Sequence, residues 1–215
     1  MKKIKSSALI IVDLQVDFCP GGSLPVTGGN EIIGGINNLL DTSGSGLGQF
    51  FQKIVLTADW HPSLHISFAS FHNMDPFSTK NISGSNCTLW PDHCVEGTSG
   101  SAFSSDLKIE KSDLIIRKGR NKMLDSYSAF FENDRKTPTG LKGYLTDHTI
   151  ENVYLCGLAF DWCVYFSAMD SLKFGFETYV IMDLTRSIDS PAGYALEKEL
   201  EMKQAGIKII DSSEI

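Results

Sequence analysis

Six short apolar runs recur along this chain, at residues 8–12, 53–56, 114–116, 153–156, 178–182 and 207–210, and they constrain its fold more than any other feature. Each is rich in Val, Ile and Leu throughout instead of alternating with polar residues. That is the pattern of strands buried on both faces of a parallel sheet. Helix-like stretches lie between them, at 31–40, 139–148, 161–174 and 192–204. The last is punctuated by Ser190 as a cap, Pro191 near its first turn and Gly206 as its stop. Strand and helix alternate through most of the chain, which predicts an α/β fold, a three-layer α/β/α sandwich around a mainly parallel, about six-stranded sheet.

At 215 residues the chain has the length of one α/β domain, so residues 1–215 are expected to share one core. The stretch 68–112 is the exception to compactness, and an irregular segment of that length is expected to serve a site. The cluster Ser43-Gly-Ser-Gly-Leu-Gly48 is too short to link domains and reads as a surface loop. The basic start, Met1 to Ser7, precedes an apolar run too short for a signal-peptide core or a membrane span, and reads as a leader into the first strand. With 26 acidic against 19 basic residues the net charge is −7, which argues against nucleic acid and anionic membrane as partners and for a small molecule. The five cysteines, Cys19, Cys87, Cys94, Cys156 and Cys163, are odd in number and contain no CxxC pair, which suits a reduced, cytoplasmic setting.

In a parallel sheet the ligand site lies beyond the carboxyl ends of the strands. Asp13 follows the first run, Asp59 and His61 the second, Lys118 the third, and Ala159 to Cys163 the fourth, so these groups are expected to converge. Cys163 sits where a strand-like run gives way to a helix-like one. The first turn of a helix offers free N–H groups and a positive dipole end, both of which favour a thiolate. A carboxylate directly ending an apolar strand, as Asp13 does, needs a partner or a task, and Lys118 is the obvious partner. Asp13, Lys118 and Cys163 therefore suggest an acid/base, a cation and a nucleophile.

Asp59 and His61 are two residues apart, which on an extended strand end points both to one side. With His93, from the Trp/Pro-rich turn Trp90-Pro-Asp-His-Cys-Val95, they make a three-ligand divalent set with open positions. An equal reading is that Asp59 and His61 cap a turn and His93 is a satisfied loop histidine.

Taken in order, Asp13-Leu-Gln-Val-Asp-Phe-Cys-Pro-Gly-Gly-Ser-Leu-Pro-Val26, Asp59-Trp-His-Pro62, Trp90 to Val95, Lys118-Gly119 with Asp125-Ser-Tyr-Ser-Ala-Phe130, and Gly157-Leu-Ala-Phe-Asp-Trp-Cys-Val164 resemble the nicotinamidases (pyrazinamidases) of the isochorismatase-like cysteine hydrolases. The resemblance implies Asp13, Lys118 and Cys163 as catalytic triad and Asp59, His61 and His93 as ligands of one divalent metal, zinc first, with iron or manganese accepted by the same donors. It implies a pyridine ring among Phe18, Trp90 and Tyr127, and a cis peptide before Ala159 that aims the N–H groups of Ala159 and Cys163 into an oxyanion hole. The implied reaction is hydrolysis of nicotinamide, or pyrazinamide, in NAD salvage.

Some members place a further ligand shortly after the Asp-x-His pair, and here His65, Ser70 and His72 are the nearby options; water is the favoured completion, with His65 behind the ligands. The segment 72–89 is long for a compact bacterial member. The alternatives are a metal-free relative cleaving an ether, carbamoyl or ureido substrate, and a metal-bearing binding protein with an inert cysteine. The oligomeric state is left open, a homo-oligomer included.

Overall fold

The computed structural model describes residues 6–42, 50–82 and 84–215. The glycine/serine cluster 43–48 and most of the basic leader lie outside the described residues. Six strands form one sheet: β1 (Ser7–Val12), β2 (Lys53–Asp59), β5 (Leu114–Lys118), β6 (Asn152–Leu158), β7 (Glu177–Arg186) and β8 (Lys208–Ile210). Their order is β5-β2-β1-β6-β7-β8, and every neighbouring pair is parallel. Each expected apolar run contributes one strand.

The helices are α1 (Ile33–Thr42), α2 (Leu141–Asp147), α3 (Tyr165–Lys173) and α4 (Tyr194–Ala205). Period-two alternation along β1 explains the layering. Leu9 and Ile11 join one core with Ile33, Ile36 and Leu40 of α1. Ala8, Ile10 and Val12 join the other with Leu141 and Leu145 of α2, Ala168 of α3 and Met202 of α4. Both faces of the sheet are thus covered, as an all-parallel sheet requires. The architecture is the expected α/β sandwich.

Three details differ from the sequence reading. The first turn of the helix-like stretch at 161–174 is wound as a π-helical turn, Phe160–Val164, before α3 begins. The start of α4 lies beyond Pro191, whose peptide bond with Ser190 is cis. Gly193 rather than Ser190 stands at its N-cap, and the Asp189 side chain accepts the Ala195 N–H of its first turn at 3.0 Å. The stretch 68–112 is not irregular throughout, since β3 (Thr79–Ile82) and β4 (Ser85–Thr88) pair as an antiparallel hairpin inside it. Gly206 ends α4 in a left-handed conformation, as expected. Among the described residues no helix is long and apolar enough to cross a membrane.

Candidate active site

The polar residues that end the strands meet at one edge of the sheet. Lys118, the last residue of β5, pairs in register with Asp59, the last residue of β2. Asp13 follows β1 directly in a left-handed conformation (φ 46°), with its N–H bonded to the Thr57 carbonyl. Cys163 enters from the turn after β6, and near the end of that strand Gly157 (φ 104°) is required because a Cβ there would meet the Val12 carbonyl at 2.2 Å. Cys163 is 6% exposed, while Asp13 and Lys118 are completely buried.

Lys118 is the hub of this cluster. Its Nζ donates to Asp59 Oδ1, to the Ser126 carbonyl at 3.3 Å and to Cys163 Sγ at 3.3 Å, and lies 2.9 Å from Asp13 Oδ2. Asp13 Oδ1 accepts the Thr57 hydroxyl at 2.7 Å. Burial opposes the Lys118 ammonium, but the Asp13 and Asp59 carboxylates outweigh it and hold its pKa well above the ordinary lysine value. Burial raises the Asp13 carboxyl, with Lys118 opposing.

Cys163 departs from its expected electrostatics. Burial pushes its thiol well above the usual value, Lys118 pulls it down, and the Asp13 and Asp59 charges push it further up. Burial thus opposes the thiolate that a helix dipole alone favours. The dipole effect is worth about 0.3–1 kcal/mol at most exposed sites and does not match complete burial beside two carboxylates.

Asp59, His61 and His93 bring one donor atom each within 4.8 Å of one another, and all three are buried. Both imidazoles are oriented by backbone carbonyls. His61 Nδ1 faces the Gly119 carbonyl at 3.1 Å and His93 Nδ1 the Pro91 carbonyl at 2.7 Å. The Nδ1–H tautomer satisfies both bonds and leaves Nε2 of each ring facing Asp59 Oδ2, at 3.6 and 3.8 Å. Fixing the tautomer through the far nitrogen is how metal-binding histidines are held, and two imidazoles with a carboxylate suit a borderline divalent ion such as zinc. The donor set fits a metal. Gly119 (φ 67°) matters here, because a Cβ would come within 2.4 Å of the His61 ring.

The other metal options are engaged elsewhere. Both His65 nitrogens have partners: Nδ1 with Ser67 Oγ at 2.7 Å, Nε2 with the carbonyls of Asn121 and Leu124 at 3.0 and 3.1 Å. Its ring stacks on His61 with centroids 4.3 Å apart. His61, His65 and Asp125 also group donor atoms, but His65 has no nitrogen to spare. His72 bonds the Ile66 carbonyl and Lys80, and the Ser70 hydroxyl bonds Asp92.

One cavity joins Cys163 to the His/Asp group. It is narrow, with about 20 Å³ open to the centre of a water-sized sphere. Phe18, Trp90, Tyr127, Ala159 and Cys163 line it with Asp59, His61 and His93. The Trp90 indole N–H donates to the Tyr127 hydroxyl at 3.2 Å. The Leu158–Ala159 peptide is cis.

The cavity also contains Leu24, Asp125, Ser126, Trp162 and Ile188, which sequence reasoning did not single out. Trp162 directly precedes the nucleophile candidate and was within reach of it. Gln15 was not. Its amide exchanges two hydrogen bonds with the Asp59 backbone, each 2.8 Å, and holds the Ser101 carbonyl at 2.9 Å, so it fixes the strand end that bears Asp59.

Residues 7–214 match the model of the isochorismatase domain. The chain is 44% identical to a nicotinamidase from Acinetobacter baylyi, covering 100% of this chain and 97% of that protein. The yeast nicotinamidase bound to the inhibitor nicotinaldehyde superposes with a TM-score of 0.87 at 33% identity, covering 96% of this chain and all of that one. A Pyrococcus horikoshii pyrazinamidase in complex with zinc gives 0.76 at 35% identity, covering 96% and 99%.

Proposed function

We propose that this chain, which belongs to the isochorismatase family, hydrolyses nicotinamide to nicotinate and ammonia by way of a cysteine thioester. The observation that carries the reading is a buried thiol, carboxylate and ammonium in one cluster, the thiol on the wall of a narrow, aromatic-lined cavity that also bears a metal-fitting donor set.

Asp13, with a carboxylate oxygen within 4.8 Å of the Cys163 sulfur, takes the proton of Cys163. The thiolate sulfur attacks the carboxamide carbon, and the N–H groups of Ala159 and Cys163 receive the charge that develops on oxygen. Asp13 returns its proton to the departing amine, the C–N bond breaks, and ammonia leaves a thioester. Water, deprotonated by Asp13, attacks that carbonyl; nicotinate departs and the thiol re-forms. Lys118 stays charged throughout and compensates the negative charge wherever it sits in the pair. Nicotinaldehyde on the yeast relative supports this order, because an aldehyde is a group to which a nucleophilic thiol adds.

Phe18, Trp90 and Tyr127 are assigned to the pyridine ring. Asp59, His61 and His93 would hold a divalent ion, which would supply Lewis-acid binding for a ring nitrogen and for water. The relative with zinc supports zinc as that ion. We assign residues 1–215 to one hydrolase domain with 68–112 as its active-site loops. The five free cysteines fit a cytoplasmic enzyme of NAD salvage.

The test is ammonia release from nicotinamide, with and without a chelator. Release that falls on chelation and returns with zinc is expected. A zinc-loaded protein that releases none overturns the reading and favours a binding protein with an inert cysteine.

A further inference from the structure

Asp161, two residues before Cys163, is completely buried and has no part in the chemistry above. Its two carboxylate oxygens are both spent on one loop. Oδ1 accepts the Ile188 N–H at 3.0 Å and Oδ2 the Asp189 N–H at 2.7 Å. Asp189 is left-handed there (φ 52°), a conformation a non-glycine residue keeps only when its surroundings hold it. Its own side chain then accepts the Ala195 N–H in the first turn of α4. The connection between β7 and α4 is therefore pinned to the turn that carries Cys163.

What this pinning delivers to the cavity is the side chain of Ile188. Its other aliphatic neighbours in the lining are Leu24 and Ala159, and the rest are aromatic, are the polar pair Asp125 and Ser126, or belong to the metal group and the nucleophile. A branched aliphatic chain makes no directional contact with a ring. It sets how much room the ring has. In so narrow a cavity, one methyl group more or less decides whether a substituted ring enters.

We infer that Ile188 is a specificity-determining residue that limits ring substitution on the amide substrate, and that Asp161 is the positioning residue that holds it in place. This rests on the nicotinamide reading above, and it assigns to the β7–α4 loop the rejection of C-methylated rings. A buried methyl that fits or clashes is worth about 10- to 200-fold in kcat/KM, so the effect is measurable.

The experiment compares kcat/KM for nicotinamide and its ring-methylated isomers in the wild type, Ile188→Ala, Ile188→Phe, Asp161→Asn and the Asp161→Asn/Ile188→Ala double variant, each with full metal content. Ile188→Ala is expected to raise kcat/KM for at least one methylated isomer relative to nicotinamide by about tenfold, and Ile188→Phe to lower it. Asp161→Asn should relax selection toward the same isomer, and the double variant should gain nothing beyond Ile188→Ala. If Ile188→Ala does not fold, Ile188→Val makes the same comparison with a smaller gain. Unmoved ratios in active Ile188 variants overturn the inference. A uniform fall in kcat for Asp161→Asn with unchanged ratios overturns the latch and makes Asp161 a support of Cys163 alone. A wild type inactive on nicotinamide overturns the functional reading instead.

Discussion

Asp59 divides its carboxylate between two neighbouring centres: Oδ1 accepts from Lys118 Nζ, and Oδ2 faces the Nε2 atoms of His61 and His93. The group that would hold a metal is therefore also half of the compensation for the buried ammonium beside Cys163. The surrounding charges hold Asp59 ionised despite its burial, with Lys118 and His61 keeping its carboxyl well below the ordinary range.

Substitutions in this group should therefore differ in kind. His61→Ala and His93→Ala should each lose the metal and leave the triad intact. Asp59→Asn should lose the metal and also leave Lys118 with Asp13 as its one carboxylate partner, so its kcat should fall about tenfold further than that of either histidine variant. Elemental analysis and kcat on the same samples check both. Full metal in the two histidine variants would mean the ligand set is wrong, and an Asp59→Asn enzyme no slower than they are would break the link to Lys118.

Cys163→Ala and Asp13→Asn should each abolish turnover, because a nucleophile and its base act as one unit and their losses do not add. Each variant is expected to keep less than about a hundredth of wild-type kcat, and the double variant to be no worse than either single. Single-turnover kinetics on folded protein decide this. A Cys163→Ala enzyme above that level would remove the thioester from the mechanism.

The parts of this site that were legible in the sequence are those where a local rule forces a choice. Asp13 stood out because a carboxylate at the end of an apolar strand needs a partner, and in the fold Lys118 Nζ lies 2.9 Å away. Asp59 and His61 stood out because a spacing of two on an extended strand shares one side. Gln15, Ile188 and Asp161 were not legible, since each acts through backbone groups 27 or more residues away that only the folded sheet brings near. The electrostatics of Cys163 were not legible for the same reason. Its place at a helix start is local, whereas the burial and the two carboxylates that outweigh the dipole are tertiary. The hairpin within 68–112 escaped because Thr79–Ile82 and Ser85–Thr88 are too short and too polar to show a strand period.

His65 gives a pH dependence with a defined sign. Burial and the neighbouring His61 push its pKa down to about 4, against about 6.5 in an unfolded chain. The unfolded chain thus binds this proton first. The stabilisation is complete above pH 6.5 and is lost as pH falls from there toward 4, at about 1.4 kcal/mol per unit. Urea unfolding of chelator-treated protein should show about 2 kcal/mol less stability at pH 5 than at pH 7 from this group, and His65→Asn should lack that increment. An identical pH dependence in wild type and variant would mean that His65 is not held neutral by the fold.

The last prediction concerns what the Asp59, His61 and His93 group reads on the substrate. If it anchors a ring nitrogen, benzamide, which keeps the amide and the ring shape but has C–H at that position, should lose binding that nicotinamide enjoys, while pyrazinamide, with a nitrogen in the corresponding place, should remain a substrate. The penalty arises because a polar centre built to be paired would face a C–H edge across a narrow cavity, with a trapped water as its remaining partner. A site built to pair one polar atom can reject an analogue lacking it by up to about 10⁴-fold, far more than the loss of a methyl-sized contact. Steady-state kcat/KM for the three amides on zinc-loaded enzyme tests this, with most of the benzamide loss expected in KM. Comparable kcat/KM for benzamide and nicotinamide would remove nitrogen anchoring from the account and leave the bound ion to act on water.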